Sequence, residues 1–275
     1  MADAFPLHDT LALVTGAGSG IGAALSVGLA RRGARLVLVD RDPAGLARSE
    51  AAVKALGREV SAHLLDLADA DAIAALPEAV AARHGPLDLL INNAGVALAG
   101  RFADVELSDF DWLMEINFRA VVRMTHAFLP VLESRPAAQI VNLSSLYGIV
   151  APPGQAAYAA SKFAVRGFSE ALRHEYAGTS LGVSVVHPGG VATAIARSAR
   201  AGPRLDPAEV AKGKQAAERF LRLSPEAAAD RILRGIARRE PRIVVGRDAA
   251  QVALIQRLMP VRYWSLLARA MERTT

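Results

Sequence analysis

The chain has 275 residues, 52% of them hydrophobic, no cysteine and a formal net charge of +5. That length suits one or two domains with an ample core, and the missing cysteines exclude disulfides, thiolate metal sites and a thiol nucleophile. The amino terminus lacks the basic start and apolar stretch of a signal peptide, and no run of 18 uncharged apolar residues offers a membrane-spanning helix, so a cytoplasmic location is expected.

Charge is uneven. Between Arg197 and Thr275 there are 17 Lys/Arg against 8 Asp/Glu, a basic tail of the kind that attracts anionic lipid, nucleic acid or phosphate-bearing ligands. Arginine outnumbers lysine 28 to 4, which points to a compositional habit. No basic cluster is interleaved with aromatics, so no nucleic-acid partner is expected.

In chain order, Thr10–Val14 is a short apolar run with the length of a buried strand. Gly16, Gly18, Ser19, Gly20, Ile21 and Gly22 follow at once, and an apolar-periodic helix then runs to about Arg32. A strand, a glycine-rich turn and a helix amino terminus form an anion site, because backbone N–H groups and the helix dipole face a phosphate. The spacing Gly-x-x-x-Gly-x-Gly differs from the strict Gly-x-Gly-x-x-Gly pattern. Arg35–Val39 reads as the second strand, with Asp40 at its end, about where an acid meets the adenosine ribose hydroxyls. A carboxylate there repels a 2′-phosphate and favours NAD, whereas Arg41 beside it could accept NADP. Asp40 could also serve as a helix cap before Pro43.

Helices are expected over 44–56, 70–84, 108–133, 157–177 and 225–239, and strands over Val60–Leu64, Leu87–Ile91, Gln139–Leu143, Val183–His187 and Arg242–Val245. Seven strands alternating with helices imply right-handed βαβ units: an α/β fold with a doubly wound, Rossmann-type parallel sheet and helices on both faces. Residues 194–223 form a long, charged, irregular stretch, and long irregular loops of compact domains commonly cover substrate. No repeat or linker divides the chain, so a single domain over 1–247 is expected, followed by an extension at 248–275.

Chemistry-bearing residues fall just past strand ends: Asp66 with Leu67, Asn93 with Ala94 and Gly95, Ser145, and Pro188 with Gly189. In a doubly wound sheet those ends form the ligand crevice. Tyr158 and Lys162, four residues apart, share one face of a helix, and an ammonium beside a phenol favours the phenolate. Ser145 could hold a substrate oxygen while the phenol moves its proton. None of the six histidines has metal-ligand spacing, so no metal site is expected.

Over roughly residues 8–247 these motifs resemble, in order and spacing, the short-chain dehydrogenase/reductase family. The resemblance implies a cofactor glycine motif at 15–22, an NAD-selecting acid at Asp40, an adenine contact at Asp66 and Leu67, and a structural motif at 92–95. Pro188, Gly189, Val191 and Thr193 would meet the nicotinamide side. It also implies a catalytic set of Asn117, Ser145, Tyr158 and Lys162. Ser145 rather than Ser144 is thirteen positions before Tyr158, as the family pattern requires. Tyr158 would be the general acid/base, Lys162 would lower its pKa and hold the nicotinamide ribose, and Ser145 would orient the substrate. Asn117 would hold a relay water.

The expected activity is NAD(P)-dependent interconversion of a secondary alcohol and its carbonyl compound. Apolar Leu146, Ile149, Val150, Pro152 and Ile195 around the expected pocket point to a lipophilic substrate. The alternatives are an NADPH-preferring carbonyl reductase and a non-catalytic dinucleotide-binding regulator; the intact catalytic set argues against the second. The family's habit implies a homodimer or homotetramer. Helices are expected at 249–259 and 261–271, with apolar Leu254, Leu258, Trp264, Leu267 and Met271 and basic Arg257, Arg262, Arg269 and Arg273. Such helices usually pack on their own domain or a neighbouring subunit, and can instead lie on an anionic membrane surface.

Overall fold

The computed structural model describes the backbone of residues 4–272 and all of their side chains except those of 216, 217 and 270–272; Arg273 therefore lies outside the described residues. Nine strands are present among them: β1 (Leu11–Thr15), β2 (Arg35–Asp40), β3 (Val60–Leu64), β4 (Leu89–Asn92), β5 (Leu98–Ala99), β6 (Ala138–Leu143), β7 (Leu181–Pro188), β8 (Arg200–Ala201) and β9 (Arg242–Val245). Between them run α1 (Gly20–Arg31), α2 (Pro43–Lys54), α3 (Ala70–His84), α4 (Leu107–Met114), α5 (Ala120–Glu133), α6 (Ala156–Glu175), α7 (Pro207–Phe220) and α8 (Pro225–Ala237), with α9 (Arg247–Leu258) and α10 (Tyr263–Glu272) after the last strand.

Seven strands form one parallel sheet in the order β3-β2-β1-β4-β6-β7-β9, and β5 pairs with β8 alone. The strands read as continuous apolar runs because both faces of the sheet are covered. Alternation appears instead in which core each residue joins. Ala12 and Val14 of β1 pack with Leu25 and Leu29 of α1 and Ile232 and Leu233 of α8. Leu11 and Leu13 pack on the other face with Ile73 and Leu76 of α3 and Met124 and Phe128 of α5. The chain winds outward from β1 in one direction and from β4 in the other, so the crevice opens between the ends of β1 and β4.

Three expectations change. The helix expected over 108–133 is continuous from Leu107 to Glu133, but Glu115–Arg119 takes the wider π form around Asn117. A single π turn admits one extra residue into a helix, and such turns cluster at functional sites. The stretch expected to be irregular at 194–223 contains β8 and the fourteen-residue α7. Asp206 caps α7 by accepting from Ala208 N–H, and Pro207 begins it; a capping acid followed by proline is a helix-start signal. Finally, the cap before Pro43 is Asp42, whose carboxylate accepts from Ala44 N–H, and Asp40 is free for another task.

Candidate active site

Around the ends of β1, β2, β4, β6 and β7 lies a cavity of about 1330 Å³. Gly16, Ser19, Gly20, Ile21, Asp40, Arg41, Asp66, Leu67, Asn93, Ala94, Gly95, Ser145, Tyr158, Lys162, Pro188, Gly189, Val191 and Thr193 all line it. Of the residues singled out from the sequence, Gly18, Gly22 and Asn117 stand behind its wall.

The glycine turn is held from beneath. A Cβ on Gly22 would lie 2.0 Å from the Gly16 carbonyl oxygen, so only glycine lets α1 start so close to the turn. Gly16 and Gly20 have φ of 65° and 53°, in the left-handed region. Ser19 caps α1 by position but places no side-chain oxygen over the first-turn N–H groups. Those donors and the positive end of the helix dipole suit an anion. Asn93 ties the turn to β4, with its Nδ2 donating to Thr15 O at 2.8 Å and Gly16 O at 3.2 Å.

Asp40 does more than end β2. Its Oδ2 accepts from Gly18 N–H at 2.7 Å and its Oδ1 from Asp42 N–H at 2.9 Å. The carboxylate therefore shapes the glycine turn, and each oxygen keeps a lone pair for a further donor.

At the other end of the cavity, α6 presents Tyr158 and Lys162. Lys162 is 3% exposed, its Nζ donates to Leu143 O at 3.0 Å, and Nζ lies 5.7 Å from the centre of the Tyr158 ring. Burial lowers the Lys162 pKa to about 8. Tyr158 is half-buried, with its ring edge-on to Tyr147 at 6.0 Å. Desolvation pushes its phenol up to about 12, against a hydrogen bond with Ser145 that pulls the other way. Ser145 Oγ also accepts from Tyr147 N–H at 3.1 Å. Ser144 points elsewhere, donating to Lys162 O at 2.8 Å.

Asn117 is fully buried, and its amide is already engaged. Oδ1 accepts from Val96 N–H at 2.8 Å, while Nδ2 donates to Val96 O at 3.0 Å and Ser161 Oγ at 3.2 Å. Both amide hydrogens are thus committed to fastening the loop after β4 onto α6. A Cβ on Gly95 would meet Asn117 Oδ1 at 3.3 Å and Lys162 Nζ at 3.4 Å, so this glycine lets the loop lie against both.

Several cavity residues carry no local signal in the sequence. Leu205 and Val210 arrive from the 194–223 segment, and Asp248, Val252, Trp264 and Leu267 from the carboxy-terminal helices. The spacings 248–252 and 264–267 fit one helix face each, but spacing alone does not say what that face meets. Leu146, Val150, Pro152 and Ile195 line the cavity as expected; Ile149 is 1% exposed and packs into the interior instead. Among the described residues no group of three His, Asp or Glu could hold a metal ion.

The short chain dehydrogenase family model matches residues 10–204. A Mycobacterium tuberculosis protein named as oxidoreductase SadH is 42% identical over 266 residues, covering 96% of this chain and 95% of that one. A short-chain dehydrogenase/reductase from Burkholderia phymatum, solved in complex with NAD, superposes with a TM-score of 0.83 at 29% identity, covering 92% of this chain and 94% of that chain. A metagenomic short-chain oxidoreductase in complex with NADP gives a TM-score of 0.71 at 31% identity, with 87% and 98% covered.

Proposed function

The chain belongs to the short-chain dehydrogenase/reductase family and is an oxidoreductase; from that premise we propose that it interconverts a lipophilic secondary alcohol and its carbonyl compound, with NAD as the preferred cofactor. The observation that carries this reading is the single cavity joining the Asp40 end to Tyr158, Lys162 and Ser145. Residues 1–247 would be the catalytic unit, 194–223 its cover and 248–275 an added wall.

The residues present fit a dinucleotide. The α1 amino terminus would face the pyrophosphate, Asp40 the adenosine ribose hydroxyls, Asp66 and Leu67 the adenine, and Lys162 the nicotinamide ribose. Thr193, whose methyl would lie 3.0 Å from a Cβ on Gly20, lines the same cavity beside the glycine turn. The nicotinamide would supply hydride transfer, which the side chains themselves do not offer. Ser145 Oγ would hold the substrate oxygen, and Tyr158 would give or take the proton at its phenol oxygen. A relay water near Asn117 would meet the second lone pair of Oδ1 or a main-chain carbonyl, because the amide hydrogens are spent.

A phenol at about 12 is a proton donor at neutral pH. Carbonyl reduction should therefore run well near pH 7, and alcohol oxidation should rise as the medium becomes alkaline. The test is a screen of secondary alcohols and ketones with both cofactors, followed by nicotinamide absorbance. On the best substrate Tyr158→Phe should lower kcat by roughly 10²–10⁴-fold while binding NADH as before. Near-normal turnover by that variant would overturn the assignment.

A further inference from the structure

The two carboxy-terminal helices have two working faces. Asp248, Val252, Trp264 and Leu267 turn toward the cavity. They are fastened there by Gly190 N–H donating to Asp248 Oδ2 at 2.7 Å and Ala151 N–H donating to Tyr263 Oη at 3.1 Å. At 100° per residue the opposite face of α9 carries Leu254 and Arg257 with Leu258 at its edge, and that of α10 carries Leu266 and Arg269 in line with Arg262 just before it. The connector adds Met259 and Val261. All of these are exposed, Val261 at 89% and Leu258 at 71%.

Concentration of apolar side chains here is the first clue. Among the described residues, five of the eleven exposed large apolar side chains lie between Leu254 and Leu266. Charge is the second. From Ala249 to Met271 the sequence has three arginines and no acid, and among the described residues none of the three joins an ion pair. An apolar stripe flanked by unpaired guanidinium groups complements a surface that is apolar below and anionic above, which is the boundary of a bilayer with acidic headgroups. A second copy of the chain would set these like charges against each other. Trp264, grouped by sequence with the apolar residues of these helices, instead faces the cavity. No helix among the described residues is long and apolar enough to span a membrane, so contact would be with one leaflet.

We propose that α9 and α10 dock this protein peripherally on an anionic bilayer, with Leu258 and Val261 at the acyl boundary and Arg257, Arg262 and Arg269 among the headgroups. The same helices wall the cavity, so docking would bring the pocket beside a reservoir of lipophilic molecules. That last consequence rests on the lipophilic-alcohol reading; the docking does not.

The experiment uses the full chain with vesicles of phosphatidylcholine alone or mixed with phosphatidylglycerol. Wild type should sediment with the mixed vesicles, less so at high salt, and little with phosphatidylcholine. Leu258→Asp/Val261→Asp and Arg257→Gln/Arg262→Gln/Arg269→Gln should each partition roughly tenfold or more weakly. Both should bind NADH as wild type does, which shows that the fold is intact and keeps a failure of docking separate from a failure of the oxidoreductase reading. Equal sedimentation of wild type with both vesicle types, or of the variants with wild type, would overturn the proposal. So would absence of sedimentation together with a lipid-free dimer that Leu258→Asp/Val261→Asp dissociates; that outcome would assign the face to a second copy.

Discussion

Under the proposed function Asp40 holds two tasks. Its position after β2 made it legible in the sequence as a ribose-binding acid. That it also accepts from Gly18 N–H was not legible, because the contact joins residues 22 apart across two strand ends. The two tasks separate experimentally. Asp40→Asn keeps an oxygen for Gly18 N–H, gives up the acceptor of Asp42 N–H and removes the negative charge that repels a 2′-phosphate. The expected outcome is a fall of roughly tenfold or more in the NAD-over-NADP ratio of kcat/KM, with a small drop in Tm. A ratio that stays at the wild-type value would mean that Asp40 does not face the ribose. Tyr158 and Lys162 make a similar point. Their spacing on α6 was legible, but the 5.7 Å between ammonium and ring and the opposing effects of burial on the two groups were not.

Among the elements, α9 is the least expected part of the site. Asp248 sits two residues past Gly246 and reaches back to Gly190, so the helix after the last strand pins the loop after β7. Removing that acceptor leaves the Gly190 N–H without its partner and frees a loop proposed to meet the nicotinamide. Asp248→Ala should raise the KM for NAD roughly tenfold or more, about the cost of one charge-assisted hydrogen bond, with a smaller change in kcat. An unchanged KM would show that the loop holds its shape unaided. The π turn at Glu115–Arg119 was equally hidden, since hydrophobic periodicity over 107–133 is too coarse to report one extra residue. The elements that were legible, β3, α3 and β9, are those whose apolar runs end at clear turn or capping residues.

At the level of the whole molecule, His187 links the edge of the cavity to acid stability. It is fully buried at the end of β7, donates from Nδ1 to Ser145 O at 3.0 Å, and has no partner for Nε2 among the described residues. A proton added at Nε2 would be buried without an acceptor, and desolvation lowers the pKa to about 4. The unfolded chain binds that proton near the ordinary value of ~6.5. Its folded pKa is the lower one, so the unfolded state takes up more protons between the two values. Stability is full above ~6.5 and falls as pH drops toward about 4. Between pH 7 and pH 5 the loss is about 2 kcal/mol. Denaturant titrations should show His187→Asn losing less over the same interval, whatever its stability at pH 7. Identical losses would remove His187 as the cause.

By itself the sequence determined the alternation of strands and helices, the parallel sheet, and the set of residues that gather at one edge. It could do so because parallel strands all point the same way. Whatever follows each strand is delivered to the same side of the sheet, however the helices pack. Tertiary structure alone decided what those residues touch. The engagement of the Asn117 amide, the Asp248 bond to Gly190, the raised phenol of Tyr158 and the inward turn of Trp264 all depend on segments far apart in the chain. An amphipathic helix announces that it has two faces; only its neighbours decide which face meets the cavity and which is left for a partner.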